Sequence, residues 1–183
     1  IYSRQIFDGK KMPTFFDYPF LYDRLIVLDG WSKAYSMTGW RLGWSVWPEK
    51  IVDHVIKFCV NNHSCVNASI QYGAIAALDG PDDPINFMMD KFTKRRKLIF
   101  DGLNSIKGIE CNLPGGAFYA FPNVIKTGMN GKEFAKICLH KAGVAIVPGT
   151  AFGKKATDYV RFSFAASQDN ISQALENIKK ILG

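Results

Sequence analysis

The period of apolar positions changes several times along the chain, and each change predicts an element. Leu25-Ile26-Val27-Leu28 is a continuous apolar run closed by Asp29-Gly30, which predicts a short buried strand and a turn. From Trp40 to Trp47 the pattern alternates. Trp40, Leu42, Trp44 and Val46 would share one face of a strand, and Arg41, Gly43 and Ser45 the other. Pro48 suits the first turn of a helix that runs to about Asn61. Asn67 to Leu78 reads as a second helix, ended by Asp79-Gly80-Pro81. Asp83-Pro84 opens the longest one. Ile85, Met88, Met89 and Phe92 recur there at helical spacing, and Ile99, Leu103 and Ile106 carry the stripe on.

Beyond that helix the pattern predicts strands near Ile109–Asn112, Ala117–Phe121, Val144–Val147 and Tyr159–Phe164. Helices are predicted over Gly131–Ala142 and Gln168–Leu182. The last of these puts Ile171, Ala174, Leu175, Ile178 and Ile181 on one stripe. Strand, strand, helix, strand, strand, helix is the order of a small α+β layer. A composition shift at Gly80–Pro84 sets the expected boundary between a first domain, 1–83, and a second, 84–183.

Composition narrows the classes. The chain has 183 residues, 48% of them apolar and 21% charged, which is the profile of a globular protein with a real core. No apolar run approaches the length of a membrane span, so no membrane partner is expected. The net charge of +7 is compatible with nucleic acid or with small anions. It is spread out, however. Its densest run, Lys94-Arg95-Arg96-Lys97, sits in a helical pattern and reads as a solvated face. The aromatic residues fall at core spacing rather than as a base-stacking platform, so no nucleic acid is expected. Cys59, Cys65, Cys111 and Cys138 form no CxxC pair, and no histidine stands at ligand spacing. That argues against a metal site and for free thiols in a reducing, cytoplasmic compartment. His54, His63 and His140 have no evident partner and read as surface or core-edge residues.

Three residues ask for an explanation. Arg41 lies between Trp40 and Leu42, and an unpaired guanidinium in an apolar strand is expensive. Arg161 lies in the alternating run Tyr159-Val160-Arg161-Phe162-Ser163-Phe164, facing away from Val160, Phe162 and Phe164. For each, an internal carboxylate and a bound anion are both open readings, and the guanidinium fork suits a carboxylate in two-point contact. Lys33, in Gly30-Trp31-Ser32-Lys33, is either an ordinary solvated turn lysine or an amine that forms an imine with a carbonyl.

The run Ser32-Lys33-Ala34-Tyr35-Ser36-Met37-Thr38-Gly39-Trp40-Arg41-Leu42-Gly43 closely resembles the lysine motif of class I/II aminotransferases, the pyridoxal-phosphate enzymes of fold type I. Ile1-Tyr2 resembles the tail of that family's Asp-Glu-x-Tyr segment. Pro114-Gly115-Gly116-Ala117-Phe118-Tyr119, Val147-Pro148-Gly149-Thr150-Ala151-Phe152-Gly153 and Tyr159-Val160-Arg161-Phe162-Ser163 resemble later landmarks in the same order. The resemblance covers essentially the whole chain.

It implies an α/β fold: the end of the large cofactor-binding domain over 1–83, then a linking helix and a small α+β domain over 84–183. It implies pyridoxal 5'-phosphate as cofactor, with Lys33 as Schiff-base lysine and proton carrier and Tyr2 bonded to the cofactor's phenolic oxygen. Arg41, with Ser32, would hold the phosphate, and Arg161 the substrate α-carboxylate. It also implies amino acid and 2-oxo acid substrates and a homodimer, with Asn61 to Asn67 near the partner's site. The family's pyridine-nitrogen aspartate and ring-stacking aromatic have no counterpart here, so the chain is expected to be a C-terminal half that is inactive alone. A carbon–sulfur lyase of the same fold, or the effector domain of a transcription regulator, are the alternative readings. Two positions depart from the pattern. Gly30 stands where many members have a hydroxyl residue, and Trp31 where a smaller apolar residue or Phe is usual.

Overall fold

The computed structural model describes residues Ile1–Gly183. The chain divides into two compact units, Ile1–Asn86 and Phe87–Gly183.

In the first unit, two 3-10 turns (Phe15–Asp17 and Pro19–Leu21) precede β1 (Val27–Gly30). β1 runs directly into α1 (Trp31–Ala34), a single helical turn. A 3-10 turn over Thr38–Trp40 then leads to β2 (Gly43–Val46). β1 and β2 pair antiparallel, with Val27 opposite Val46 and Gly30 opposite Gly43. The two strands approach closely where the glycines face each other. A Cβ on Gly30 would stand 2.8 Å from the Leu42 carbonyl oxygen. Pro48 does sit at a helix start, as N-cap of α2 (Glu49–His63). Asn67 caps α3 (Ala68–Asp79), its side-chain oxygen accepting from the N–H groups of Ser69 and Ile70. Trp31, Leu42 and Ala74 form a small buried cluster, with Tyr35, Met37, Val66 and Ile70 packed around it.

The strand expected from Trp40 to Trp47 forms only in its second half. Gly39 in Thr38-Gly39-Trp40 weakens an extended chain, which turns there instead. Arg41 follows in the left-handed region, at φ 55° and ψ 45°. It is therefore not strand-borne. The expected apolar face also fails, because Leu42 is buried while Trp40, Trp44 and Val46 are exposed.

The second unit is built on α4 (Asp83–Asn104), which enters it at Phe87. Phe92, Arg96, Ile99 and Leu103 are its buried positions. Asn104 ends the helix. Its side chain donates to Phe100 O and Cys111 O and accepts from the Cys111 N–H. Ile106 is buried beyond that end and not on the helix. The strand expected over Ile109–Asn112 shrinks to one bridge, Glu110 to Asn123.

The three strands that form are β3 (Tyr119–Ala120), β4 (Val147–Pro148) and β5 (Val160–Ser163). β5 is central, antiparallel to both neighbours. α5 (Gly131–Ile137) starts on a capping box between Asn130 and Glu133 and continues as a π-helical turn over Cys138–Ala142. α6 (Gln168–Leu182) is capped by Ser167 and buries Ile171, Leu175 and Ile178. Gly102 allows α4 and α6 to meet, since any Cβ there would collide with the Leu175 side chain.

The basic run on α4 is not one solvated face. Lys94 and Lys97 are exposed, and Lys97 pairs with Asp101 at 2.7 Å. Arg96 is buried and donates from Nε to the Pro114 carbonyl. Arg95 lies over the Phe92 ring. The pattern missed this because a guanidinium can enter a core when backbone carbonyls receive it. No helix is long and apolar enough to cross a membrane.

Candidate functional site

Lys33 is the third residue of α1, immediately after β1, and is half-buried. Its carbonyl accepts from the Gln5 side-chain amide at 3.1 Å. Ser36, in the left-handed region at φ 55°, closes the turn behind it. Tyr2 is half-buried, and its carbonyl accepts from the Gln5 backbone N–H at 2.8 Å. Asp29 accepts the Gly30 N–H at 2.7 Å.

A cavity of about 280 Å³ lies beside the end of β1, lined by Ile1, Asp29, Gly30, Ser32, Arg41, Leu42 and Gly43. It joins Ser32 and Arg41, two of the residues singled out from the sequence. Lys33 and Tyr2 are not among its lining. Arg41 is exposed, and its Nη1 donates to the Thr38 carbonyl at 2.9 Å. No carboxylate pairs with it, so the internal-salt-bridge reading has no support. The burial argument for an anion also lapses, because the group is not desolvated. What needs explaining is its backbone. A non-glycine residue held left-handed is mildly strained, and such strain gathers at functional turns.

The two departures at positions 30 and 31 have structural reasons. A hydroxyl side chain at position 30 would strike the Leu42 and Gly43 backbone, so the close strand pair demands glycine. Trp31 is a core residue, packed with Leu42 and Ala74.

Arg161 belongs to the second unit, on β5 opposite Val147. The expected alternation holds: Val160, Phe162 and Phe164 are buried, Arg161 is half-buried and Ser163 exposed. Its guanidinium carbon lies 4.3 Å from the Tyr119 ring centroid and 4.5 Å from that of Phe152. Here too no carboxylate neutralises the charge. Two aromatic faces orient a planar cation that remains available to an anion.

Sequence reasoning missed Gln5, Tyr119 and Phe152 as site neighbours. Gln5 left a faint signal, a lone amide beside Ile6 and Phe7, and it is 1% exposed. Tyr119 and Phe152 stand inside the runs that resemble family landmarks, but nothing local marks their meeting with Arg161, which joins three distant segments. The three histidines are all exposed. All four cysteines are free. Burial pushes the thiol of Cys111 up to about 11 and that of Cys138 up to about 12. A cavity of about 610 Å³, lined by Phe16, Tyr22, Leu25, Val46, Trp47 and Pro48 among others, touches none of the candidate residues.

A family model described as aminotransferase class I and II matches residues 3–178. The aspartate aminotransferase of Pyrococcus abyssi is 36% identical over 100% of this chain and 47% of its own length. Aromatic-amino-acid aminotransferase 2 of Thermococcus litoralis is 34% identical over the same shares. The crystal structure of an aromatic aminotransferase from Pyrococcus horikoshii superposes with a TM-score of 0.94 at 35% identity, covering 100% of this chain and 49% of that one. The chain thus spans about half the length of the curated relatives it matches. With the lysine motif Ser32–Gly43 on the turn between β1 and β2, and with sequence and fold matched from end to end, this chain belongs to the class I and II aminotransferases.

Proposed function

We propose that the chain is the C-terminal half of a pyridoxal 5'-phosphate-dependent aminotransferase. The parent enzyme would be a cytoplasmic homodimer that moves an amino group between an L-amino acid and a 2-oxo acid. The observation that carries the reading is the Ser32–Arg41 cavity. A hydroxyl and a guanidinium without a carboxylate partner line one small space beside Lys33, while the Asp29 carboxylate in the same lining is taken up by the Gly30 N–H and the Ile1 amino group. That donor set fits a phosphate group, which takes hydrogen bonds and a bidentate cation together. No observation favours the lyase or the regulator, and the relatives compared above carry the name aminotransferase.

When bound, pyridoxal phosphate supplies an electron sink for the substrate α-carbon. The chain's own residues would do the rest. Arg41 and Ser32 would anchor the phosphate. Tyr2 would donate its hydroxyl proton in a hydrogen bond to the cofactor's phenolic oxygen. Lys33 Nζ, unprotonated, would take the proton from the substrate α-carbon, a general-base role for a lysine in a partly desolvated site. Arg161 would grip the substrate α-carboxylate at two points, as its planar fork allows.

The test uses the full-length parent enzyme, loaded with pyridoxal phosphate and reduced with borohydride. Peptide mapping is expected to find the adduct on Lys33, and Lys33→Ala to abolish both adduct and transamination. Adducts scattered over surface lysines would overturn the reading. The 183-residue chain alone is expected to give no transamination above background.

A further inference from the structure

Gln5 is the most deeply buried polar side chain of the first unit, 1% exposed. A buried primary amide is unfavourable unless its hydrogen bonds are made, and ordering a glutamine loses more side-chain entropy than ordering a leucine. Burial alone therefore does not account for glutamine between Arg4 and Ile6. Its bonds do. The backbone N–H of Gln5 donates to the Tyr2 carbonyl at 2.8 Å, closing the turn Tyr2–Gln5. Its side-chain Nε2 donates to the Lys33 carbonyl at 3.1 Å, across 28 residues of sequence.

The receiving element needs such a tie. α1 is one turn long, too short to hold its own shape, and the Lys33 carbonyl takes the Ser36 N–H only at a long 3.3 Å, which leaves a lone pair for Gln5. A second tie runs in parallel. Arg4, next to Gln5, donates to Asp82 at 3.0 Å and lies over the Tyr35 ring, two residues past Lys33.

We propose that Gln5 is a positioning residue, which fixes the backbone of Lys33 against the turn that carries Tyr2. This rests on the roles assigned to Lys33 and Tyr2 above. In this role Gln5 acts through the backbone of Lys33 and of Tyr2. It sets where the amine of one residue stands relative to the hydroxyl of the other.

The test compares wild type with Gln5→Met, which keeps length and apolar bulk but removes the donor. Two readouts are taken on the full-length parent enzyme. The first is trace acetylation of the cofactor-free protein across pH, mapped lysine by lysine, which gives the ionisation midpoint of Lys33 against the exposed Lys107 and Lys132. The second is borohydride trapping of pyridoxal phosphate at Lys33 relative to those two lysines. The expected result is a displaced Lys33 midpoint and an about tenfold loss of selective trapping, with the reference lysines unmoved. A Gln5→Met protein with the wild-type midpoint and wild-type selectivity would overturn the proposal while leaving the reading of Lys33 intact. Unselective trapping in the wild type would sink that reading, and this proposal with it.

If Gln5→Met does not fold, Gln5→Glu carries the test. The neutral carboxyl can donate to the Lys33 carbonyl and the ionised one cannot. Lys33 trapping relative to wild type should then fall as pH rises through the titration of the new carboxyl. A flat ratio would refute the proposal.

Discussion

The two units solve the packing problem to different degrees. In Phe87–Gly183 the layers close on each other: Leu103, Phe134, Phe164 and Ile178 are fully buried, and β5 has a neighbour on either side. In Ile1–Asn86 the sheet has two strands, every residue of β2 is exposed, and Leu28 in the middle of β1 is 71% exposed. Phe20, Phe58 and Tyr72 are also open to solvent. A two-stranded ribbon with both faces wet is marginal by itself, and exposed apolar area of this extent marks a surface meant to be covered. The lesson is that chemistry and stability are divided. The second unit carries a self-sufficient core, whereas the lysine turn sits on a layer that its own unit only half supports. That fits the proposal that the rest of a longer parent, and its partner subunit, complete the first unit.

The largest effect should separate the units outright. Phe134→Ala or Phe164→Ala removes a fully buried ring and is expected to destabilise the second unit by about 3–5 kcal/mol. Urea denaturation followed by a probe in each unit would check this. A comparable loss from Phe20→Ala in the first unit would break the contrast. Next, Gly102→Val forces a branched side chain into Leu175 and should cost about 1–3 kcal/mol. Gly102→Val combined with Leu175→Ala should recover part of the loss, and strict additivity would disprove the contact. The capping box at α5 predicts a further step down: Asn130→Ala should lower stability by about 1 kcal/mol, read as a drop in the Tm of the second unit.

The buried thiols give that core a pH signature. Cys111 and Cys138 titrate near 11 and 12 when folded, above their ordinary value. The folded state therefore holds those protons more tightly. Its advantage is complete below pH about 9 and is lost as pH rises through about 11 to 12. The urea midpoint of the second unit should decline across that window, less steeply in a Cys111→Ala, Cys138→Ala double variant. At neutral pH a thiol reagent should modify exposed Cys65 first and reach Cys111 and Cys138 only on unfolding. The smallest effect belongs to the open surface. Leu28→Ser is expected to shift the stability of this chain by less than about 0.5 kcal/mol.

Much of this was legible in the chain. The helix starts at Pro48 and Asn67, much of the stripe of α4, the alternation around Arg161 and the span of α6 all follow from local rules. Each involves residues a few positions apart, where periodicity and capping chemistry operate. The failures share the opposite character. The strand at Trp40 is cut short by a turn, Arg96 enters the core because Pro114 receives it, and the predicted Ile109–Asn112 strand has only Asn123 to pair with.

The same division runs through the site. Lys33, Arg41, Ser32, Tyr2 and Arg161 could be named from motif and residue chemistry alone, because a reactive amine and two guanidinium forks are properties of side chains. The sequence also determined the family, since the spacing of the lysine motif is local. Only the tertiary structure decided that Arg41 turns left-handed into a cavity with Ser32, that Arg161 rests on two aromatic rings, and that Gln5 ties Lys33 to the turn of Tyr2. Those relations depend on contacts between segments far apart in the chain. Their free energy comes from burial and hydrogen bonding that exist only once the segments meet, and no local pattern encodes them.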